Sequence, residues 1–273
     1  MSDERRPPAG VDLTTPNTAR IYDYLLGGKD NYAADRRVAE ELLAVIPEAR
    51  TAARENHAFI GRAVRFLAAL GVRQFIDIGT KLPARGNVRE AVAEVAPDAA
   101  VVFADGDPVV LAHARALLAG RGGTGTGRTA VVRCDPRRPA AVFDDPEVRA
   151  CIDVDRPVAC ILDRVLHFIG DDAEAAEVVR GVHDALPPGG HLVFTHITQD
   201  PEPQSGGDVG AVFKPTDRHF WGRSRARILD IVGRFDLLDP GLTYTPQWRP
   251  DPGTGTFVNP ERTFTLAGVG RRR

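Results

Sequence analysis

From residue 72 onward the chain alternates short β-rich runs with helical ones, and the first two β runs each stop at carboxylates: QFIDIGTKLP at Asp77 and AAVVFADGDP at Asp105. That alternation restricts the fold. Strands predicted over 72–78, 100–104, 130–134, 157–162 and 191–196 are separated by helices over 88–95, 109–118 and 173–186, an order that requires right-handed crossovers and a mostly parallel α/β sheet covered on both faces. The end of the chain breaks the rhythm. A helix over 217–232 is followed by a strand near 235–244 and another over 262–269, and two strands with no helix between them either pair as an antiparallel hairpin or lie apart.

Ahead of the first strand, Ile21, Tyr22, Leu25 and Leu26, then Val38, Leu42, Leu43 and Ile46, recur at helical spacing and are interrupted by Gly27-Gly28. Two helical pieces joined at the glycines are expected. A longer helix from Pro47 carries Phe59, Ala63, Phe66, Leu67 and Leu70 on one stripe and stops at Gly71. The organisation expected is therefore a charged, Pro-rich disordered arm over 1–16, a helical cap over 17–71, and a Rossmann-like core over 72–273 that forms one compact domain with the cap.

Composition removes several classes of function. No window approaches the roughly 18 consecutive apolar residues of a membrane span, so a soluble chain is expected with no membrane partner. A net charge of −2 gives no global basic field, and the basic ends Arg5-Arg6 and Arg271-Arg272-Arg273 are short, which makes a nucleic-acid partner improbable. Cys134, Cys151 and Cys160 show no C-x-x-C spacing, arguing against a disulfide framework and against a metal site. A reducing cytoplasm fits, and MSDERRPPAG has no apolar stretch of the kind a signal peptide carries. The Gly-rich run at 122–127 lacks the G-K-[ST] ending of a phosphate loop and reads as a linker. The polar segment 198–213 is a candidate lid.

Candidate site residues sit where strands end. Asp77-Ile-Gly79-Thr80-Lys81 occupies the turn after the first strand, where a glycine lets backbone approach a ligand; such a turn also serves simple chain reversal. Asp105 and Gly106 close the second strand, and a carboxylate there can accept both hydroxyls of a ribose. Asp107, before Pro108, reads better as a helix N-cap. Cys134 and Asp135 close the third strand, with Asp135 either accepting from an adenine amino group or capping a turn beside Arg137 and Arg138. Asp163 closes the fourth strand beside the same cleft. His167 and His196 are the candidate catalytic groups, because imidazole titrates near neutral pH, although a packed core role is open to each. The layout suggests S-adenosyl-L-methionine as cofactor more than NAD, since no complete G-x-G-x-x-G follows the first strand.

The segments TARIYDYLLGGKDNYAADR, RQFIDIGTKLP, VVFADGDPVVLAHARALL, VLHFI, LPPGGHLVFTH and the late WRP together resemble a bacterial S-adenosylmethionine-dependent methyltransferase-like family formerly filed as a domain of unknown function. The resemblance runs over almost the whole chain. It implies a class I methyltransferase fold, whose usual ending is an antiparallel hairpin, and a cofactor site at Asp77, Gly79, Asp105 and Asp135; it does not imply the natural acceptor, for which a small or medium-sized molecule held between the cap and the strand ends is expected. It also implies that Tyr22, Tyr24 and Lys29 belong to a helical flap over the cleft, where aromatic faces favour a sulfonium; packing of the flap onto the sheet is the alternative. This chain departs from the family at Lys81, where glycine is usual. A lysine there can repel the cofactor's ammonium or pair with a carboxylate, so a non-enzymatic binder of S-adenosylmethionine or S-adenosylhomocysteine is the alternative function.

Overall fold

The computed structural model describes residues 12–82, 86–120, 127–200, 212–216, 218–254 and 257–273. Residues 1–11 of the expected arm, most of the expected linker and positions 201–211 of the expected lid lie outside the described residues.

Helices α1 (Thr18–Leu26), α2 (Ala33–Val45) and α3 (Ala49–Ala69) precede the sheet. The glycine pair breaks α1 from α2 as the sequence predicts: Gly27 caps α1 with φ +82°, a conformation that costs glycine nothing. Gly28 has a different duty. A Cβ there would lie 1.9 Å from Asp23 Oδ1, so the missing side chain is what lets the loop close over Asp23, whose carboxylate accepts from the Asp30 amide and Asn31 Nδ2 at 2.9 and 2.8 Å. At the other end of α1, Arg20 and Asp35 form a buried ion pair at 2.8 Å, and Asp35 also accepts the amides of Asn17 and Tyr32. Hydrogen bonds of this number offset the desolvation of a buried charge.

The core follows as β1 (Gln74–Ile78), α4 (Val88–Ala93), β2 (Ala100–Asp105), α5 (Pro108–Gly120), β3 (Thr129–Arg133), α6 (Pro146–Cys151), β4 (Ala159–Leu162), α7 (Asp172–Ala185), β5 (His191–Ile197), α8 (Arg225–Val232), β6 (Asp236–Leu237), β7 (Thr243–Tyr244) and β8 (Thr265–Arg271). β1, β2, β4 and nearly all of β5 are buried on both faces, the mark of a covered parallel sheet. Alternate side chains divide between two cores. Ile76, Ile78 and Val102 face Val179, Val182 and Ile228 on one side, whereas Phe75, Val101 and Phe103 face Phe59, Leu67 and Val92 on the other. Trp248, fully buried, stands edge-on to Phe59 and Phe66 of α3, and Arg249 lies over the Phe66 ring. The WRP segment thus clamps the cap's longest helix to the far end of the chain.

The strand order is β3-β2-β1-β4-β5-β8-β6, with β7 also paired to β8. β1 to β5 run parallel, and β8 enters antiparallel between β5 and β6, giving the hairpin-type ending of the expected fold. Two expectations are corrected. The late helix begins at Arg225, because the Ser224 side chain accepts the Arg227 amide and caps it there. The strand expected over 235–244 is split into β6 and β7 by the turn that closes at Gly241, whose φ is +83°.

Candidate functional site

The order of the sheet reverses between β1 and β4: the chain lays down β2 and β3 on one side of β1, then crosses back to place β4 on the other. A crevice opens at the carboxyl ends of strands flanking such a point. Parallel register sets Asp77 opposite Ile161 and Ile78 opposite Leu162, so Asp77 and Asp163 leave adjacent strand ends, with Asp105 at the end of β2 beyond. All three carboxylates are buried; Asp77 and Asp163 line one cavity, whereas Asp105 lines neither that cavity nor the one beneath the cap.

They are not equivalent. Burial pushes the Asp77 carboxyl up to about 6, against a hydrogen bond from the Thr80 hydroxyl and the charge of Lys81, which favour ionisation. Burial also raises Asp105, opposed by the Asp107 amide, which donates to its Oδ1 at 2.8 Å. Asp163 goes the other way. Burial would raise it, yet the ammonium of Lys81, together with hydrogen bonds from Lys81 Nζ, Asn56 Nδ2 and Thr195 Oγ1, outweighs that cost and holds the carboxyl below its ordinary range. Asn56 and Thr195 donate to the same Oδ1 at 2.9 and 2.7 Å.

Lys81 therefore pairs with Asp163, not with Asp77. Its backbone has φ +54°, a left-handed conformation that costs a side-chain-bearing residue about 1–2 kcal/mol, and its ammonium stands 4.7 Å from the centroid of the Tyr22 ring. The ring of Tyr22 is fixed because its hydroxyl donates to the Ala53 carbonyl at 2.9 Å and accepts from Asn56 at 3.0 Å. Gly79, at φ +72°, passes so close to Val165 that a Cβ would lie 2.7 Å from Cγ2. The glycine is required by conformation and by space alike.

Two cavities share Tyr22 as a common wall. The first, polar, is lined by Asp77, Gly79, Thr80, Lys81 and Asp163 together with His57 and Phe103. The second encloses about 280 Å³ beneath the cap and is predominantly apolar, with Ile21, Leu25 and Leu42 on one side and Phe213, Phe220 and Phe264 on the other. Arg164, the residue after Asp163, opens onto it with φ +59°, and Phe264 lines it with φ +49°. Of five non-glycine residues with positive φ among the described residues, three border these cavities. Strained backbone concentrates at functional sites because surrounding structure must enforce it.

Other predicted residues lie elsewhere. Asp107 caps α5 through the Val109 amide and accepts from Asn17 Nδ2, tying the cap to the sheet. Gly106 passes the Cys134 carbonyl closely, and burial pushes the Cys134 thiol up to about 12. Asp135 is exposed and accepts the Arg137 amide at 2.9 Å, lining neither cavity. The Tyr24 hydroxyl bonds Glu40, with Arg50 over its ring, and Lys29 is exposed. His196 donates from Nδ1 to the Ile197 carbonyl at 2.7 Å and accepts at Nε2 from Arg223 at 3.0 Å; burial brings it down to about 4. His167 is fully buried, stacked on Phe220, and neither of its nitrogens has a hydrogen-bond partner. Burial lowers its basicity well below that of free imidazole. Neither ring lines either of these two cavities.

Asn56, Thr195 and Arg164 were not singled out in the sequence. A signal for Asn56 existed: it interrupts the apolar stripe of α3 between Ala53 and Phe59, and a buried amide in such a stripe needs partners.

The family model described as S-adenosyl methyltransferase matches residues 4–273. The chain belongs to that family. It is 38% identical to a methyltransferase candidate of known structure from Thermobifida fusca, with a TM-score of 0.87 and 98% of each chain covered. A DUF574 family protein from Streptomyces avermitilis is 34% identical, with a TM-score of 0.89, over 96% of this chain and 99% of that one. The pyocyanin biosynthetic protein PhzM, 20% identical at a TM-score of 0.50, shares the fold over 97% of this chain and 63% of its own. No curated protein matches the chain. As a family member with this sheet order, the chain has a class I methyltransferase fold and is an enzyme of that class. No helix among the described residues is long and apolar enough to cross a membrane.

Proposed function

We propose that this methyltransferase uses S-adenosyl-L-methionine bound in the polar cavity at the ends of β1, β2 and β4, and methylates a small or medium-sized acceptor held in the apolar cavity beneath the cap. The observation that carries the reading is the shared wall: one buried tyrosine ring, Tyr22, faces both cavities. Donor and acceptor would occupy adjoining cavities and meet past the edge of that ring, and positioning of that kind supplies much of a methyl transfer's rate.

The residues fit a cationic donor. Asp77 and Asp105 form no ion pair among the described residues, although the charges of Lys81 and Arg218 favour their ionisation, and a buried carboxylate outside any ion pair favours a ligand that brings a further cation. Asp77 would take the ammonium end, Gly79 and Thr80 would let backbone approach it, and Asp105 with Gly106 would accept from the ribose. Cys134 and Asp135 would border the adenine. Asp163 would face the reacting centre, its carboxylate shared with Lys81. When bound, S-adenosyl-L-methionine supplies an activated methyl group for in-line displacement. In this reading His167 and His196 move no proton, because neither lines either cavity and His196 is held by Arg223.

The expected result in isothermal titration is binding of S-adenosylmethionine and S-adenosylhomocysteine, with loss of both in Asp77→Ala. Absence of heat and of any thermal shift with either ligand removes the proposal. Binding without turnover across a broad acceptor screen, with turnover appearing in Lys81→Gly, would favour the non-enzymatic alternative.

A further inference from the structure

The apolar cavity contains one charged lining residue among those described, Arg164, and no acidic one. The half-buried guanidinium lies 4.5 Å from the centroid of the Tyr22 ring and 5.8 Å from that of Phe220. These ring contacts engage the faces of a planar cation. They leave its in-plane N–H donors unserved, and the guanidinium has no hydrogen bond or ion pair among the described residues. Such a group in an apolar cavity retains its charge and seeks a planar anionic acceptor.

The backbone holds Arg164 in place at a cost. Its φ of +59° is enforced by a hydrogen bond from its amide to Thr195 Oγ1 at 3.0 Å, and Thr195 in turn donates to Asp163. The chain reverses so sharply that Asp163 faces the polar cavity and Arg164, the next residue, faces the apolar one.

Building on the methyltransferase reading above, we infer that the acceptor is an apolar organic acid whose carboxylate pairs with Arg164 while its hydrocarbon or aryl body fills the cavity under the cap. Aromatic walls from Phe213, Phe220 and Phe264 suit the body, and bidentate pairing fixes the orientation of the head. Arg164 is then the residue that sets substrate class: a site built to pair one charged group rejects the analogue that lacks it more strongly than an apolar wall rejects a methylene.

Matched pairs test this. The full-length protein, first saturated with S-adenosylhomocysteine, is titrated with 2-naphthoate against 2-naphthylmethanol and with decanoate against decanol. At least one carboxylate is expected to bind ~10–100-fold more tightly than its alcohol, and Arg164→Gln to bring that ratio close to one while the S-adenosylhomocysteine affinity stays within about twofold. Arg164→Lys should keep part of the preference, because it retains the charge and loses the fork. Equal binding of acid and alcohol by the wild type, a ratio unchanged in Arg164→Gln, or no binding of either member of both pairs overturns the inference. The first titration separates the two readings: no S-adenosylhomocysteine binding refutes the donor assignment, whereas normal binding without carboxylate preference refutes only the role of Arg164.

Discussion

Replacing Lys81 by glycine tests the electrostatics of the cleft directly. Two backbone effects, relief of left-handed strain and the greater unfolded-state entropy of glycine, are each about 1 kcal/mol and nearly cancel. What remains is the loss of the ammonium beside Asp163, whose side chain is 10% exposed while that of Lys81 is 19% exposed. Removing one partner of a buried pair costs about 3–5 kcal/mol, and the partial exposure together with the hydrogen bonds from Asn56 and Thr195 lowers this to roughly 2–3 kcal/mol. For a chain of this size, that corresponds to a fall in Tm of about 4–12 °C at pH 7. Asp163 is held below its ordinary range in the wild type, so it adds stability above the unfolded carboxylate range and loses it as pH falls through its folded value. The gap between wild type and variant is therefore widest near neutrality and closes in acid. The free protein loses stability, whereas calorimetry should show S-adenosylmethionine binding more tightly by about tenfold, because the donor's cation no longer competes with a resident one. A variant as stable as wild type at pH 7 refutes the ion-pair argument, and unchanged affinity refutes the competition.

Four further outcomes follow from the same geometry. Asp77 titrates near 6 in the fold, above its ordinary value of 3.8, so its contribution to stability is present below 3.8 and lost as pH rises through 6; Asp77→Asn should gain about 2–3 kcal/mol at pH 7 by denaturant unfolding while losing S-adenosylmethionine binding, and a loss of stability would contradict this. In the wild type, affinity for S-adenosylmethionine should weaken up to about tenfold per unit below pH 6, since binding must first release a proton; a flat profile by calorimetry counts against Asp77 as the ammonium partner. Gly79→Ala combines a positive φ with a 2.7 Å contact to Val165 and is expected to lower stability by at least about 2 kcal/mol, with urea unfolding as the readout and wild-type stability as the refutation. His196 is depressed to about 4, so its contribution is present above 6.5 and declines as pH falls towards 4, by about 3 kcal/mol in total; His196→Gln should flatten that part of the stability profile, and an unchanged slope would show that His196 does not set it.

The strand-and-helix alternation, the break at Gly27-Gly28, the N-cap at Asp107 and the placement of Asp77, Asp105 and Asp163 at strand ends were legible because each depends on neighbours a few residues away. Hydrophobic period and glycine conformation are local properties, and they carry through to the folded chain. The start of α8 is not legible in the sequence, since a capping serine is a weaker signal than the apolar residues it precedes.

Pairing across the cleft was decided elsewhere. Lys81 meets Asp163, 82 residues away, and Asn56 reaches the same carboxylate from a helix 107 residues distant, because strand order sets β4 beside β1 and α3 packs across the sheet. The Asp135 carboxylate accepts the Arg137 amide and His196 accepts from Arg223, contacts that no sequence pattern announces. The sequence alone determined which chemical groups lie at the ends of strands. Only the tertiary structure decided which of them face one another, since contacts between distant segments depend on sheet register and crossover, and no local pattern encodes either.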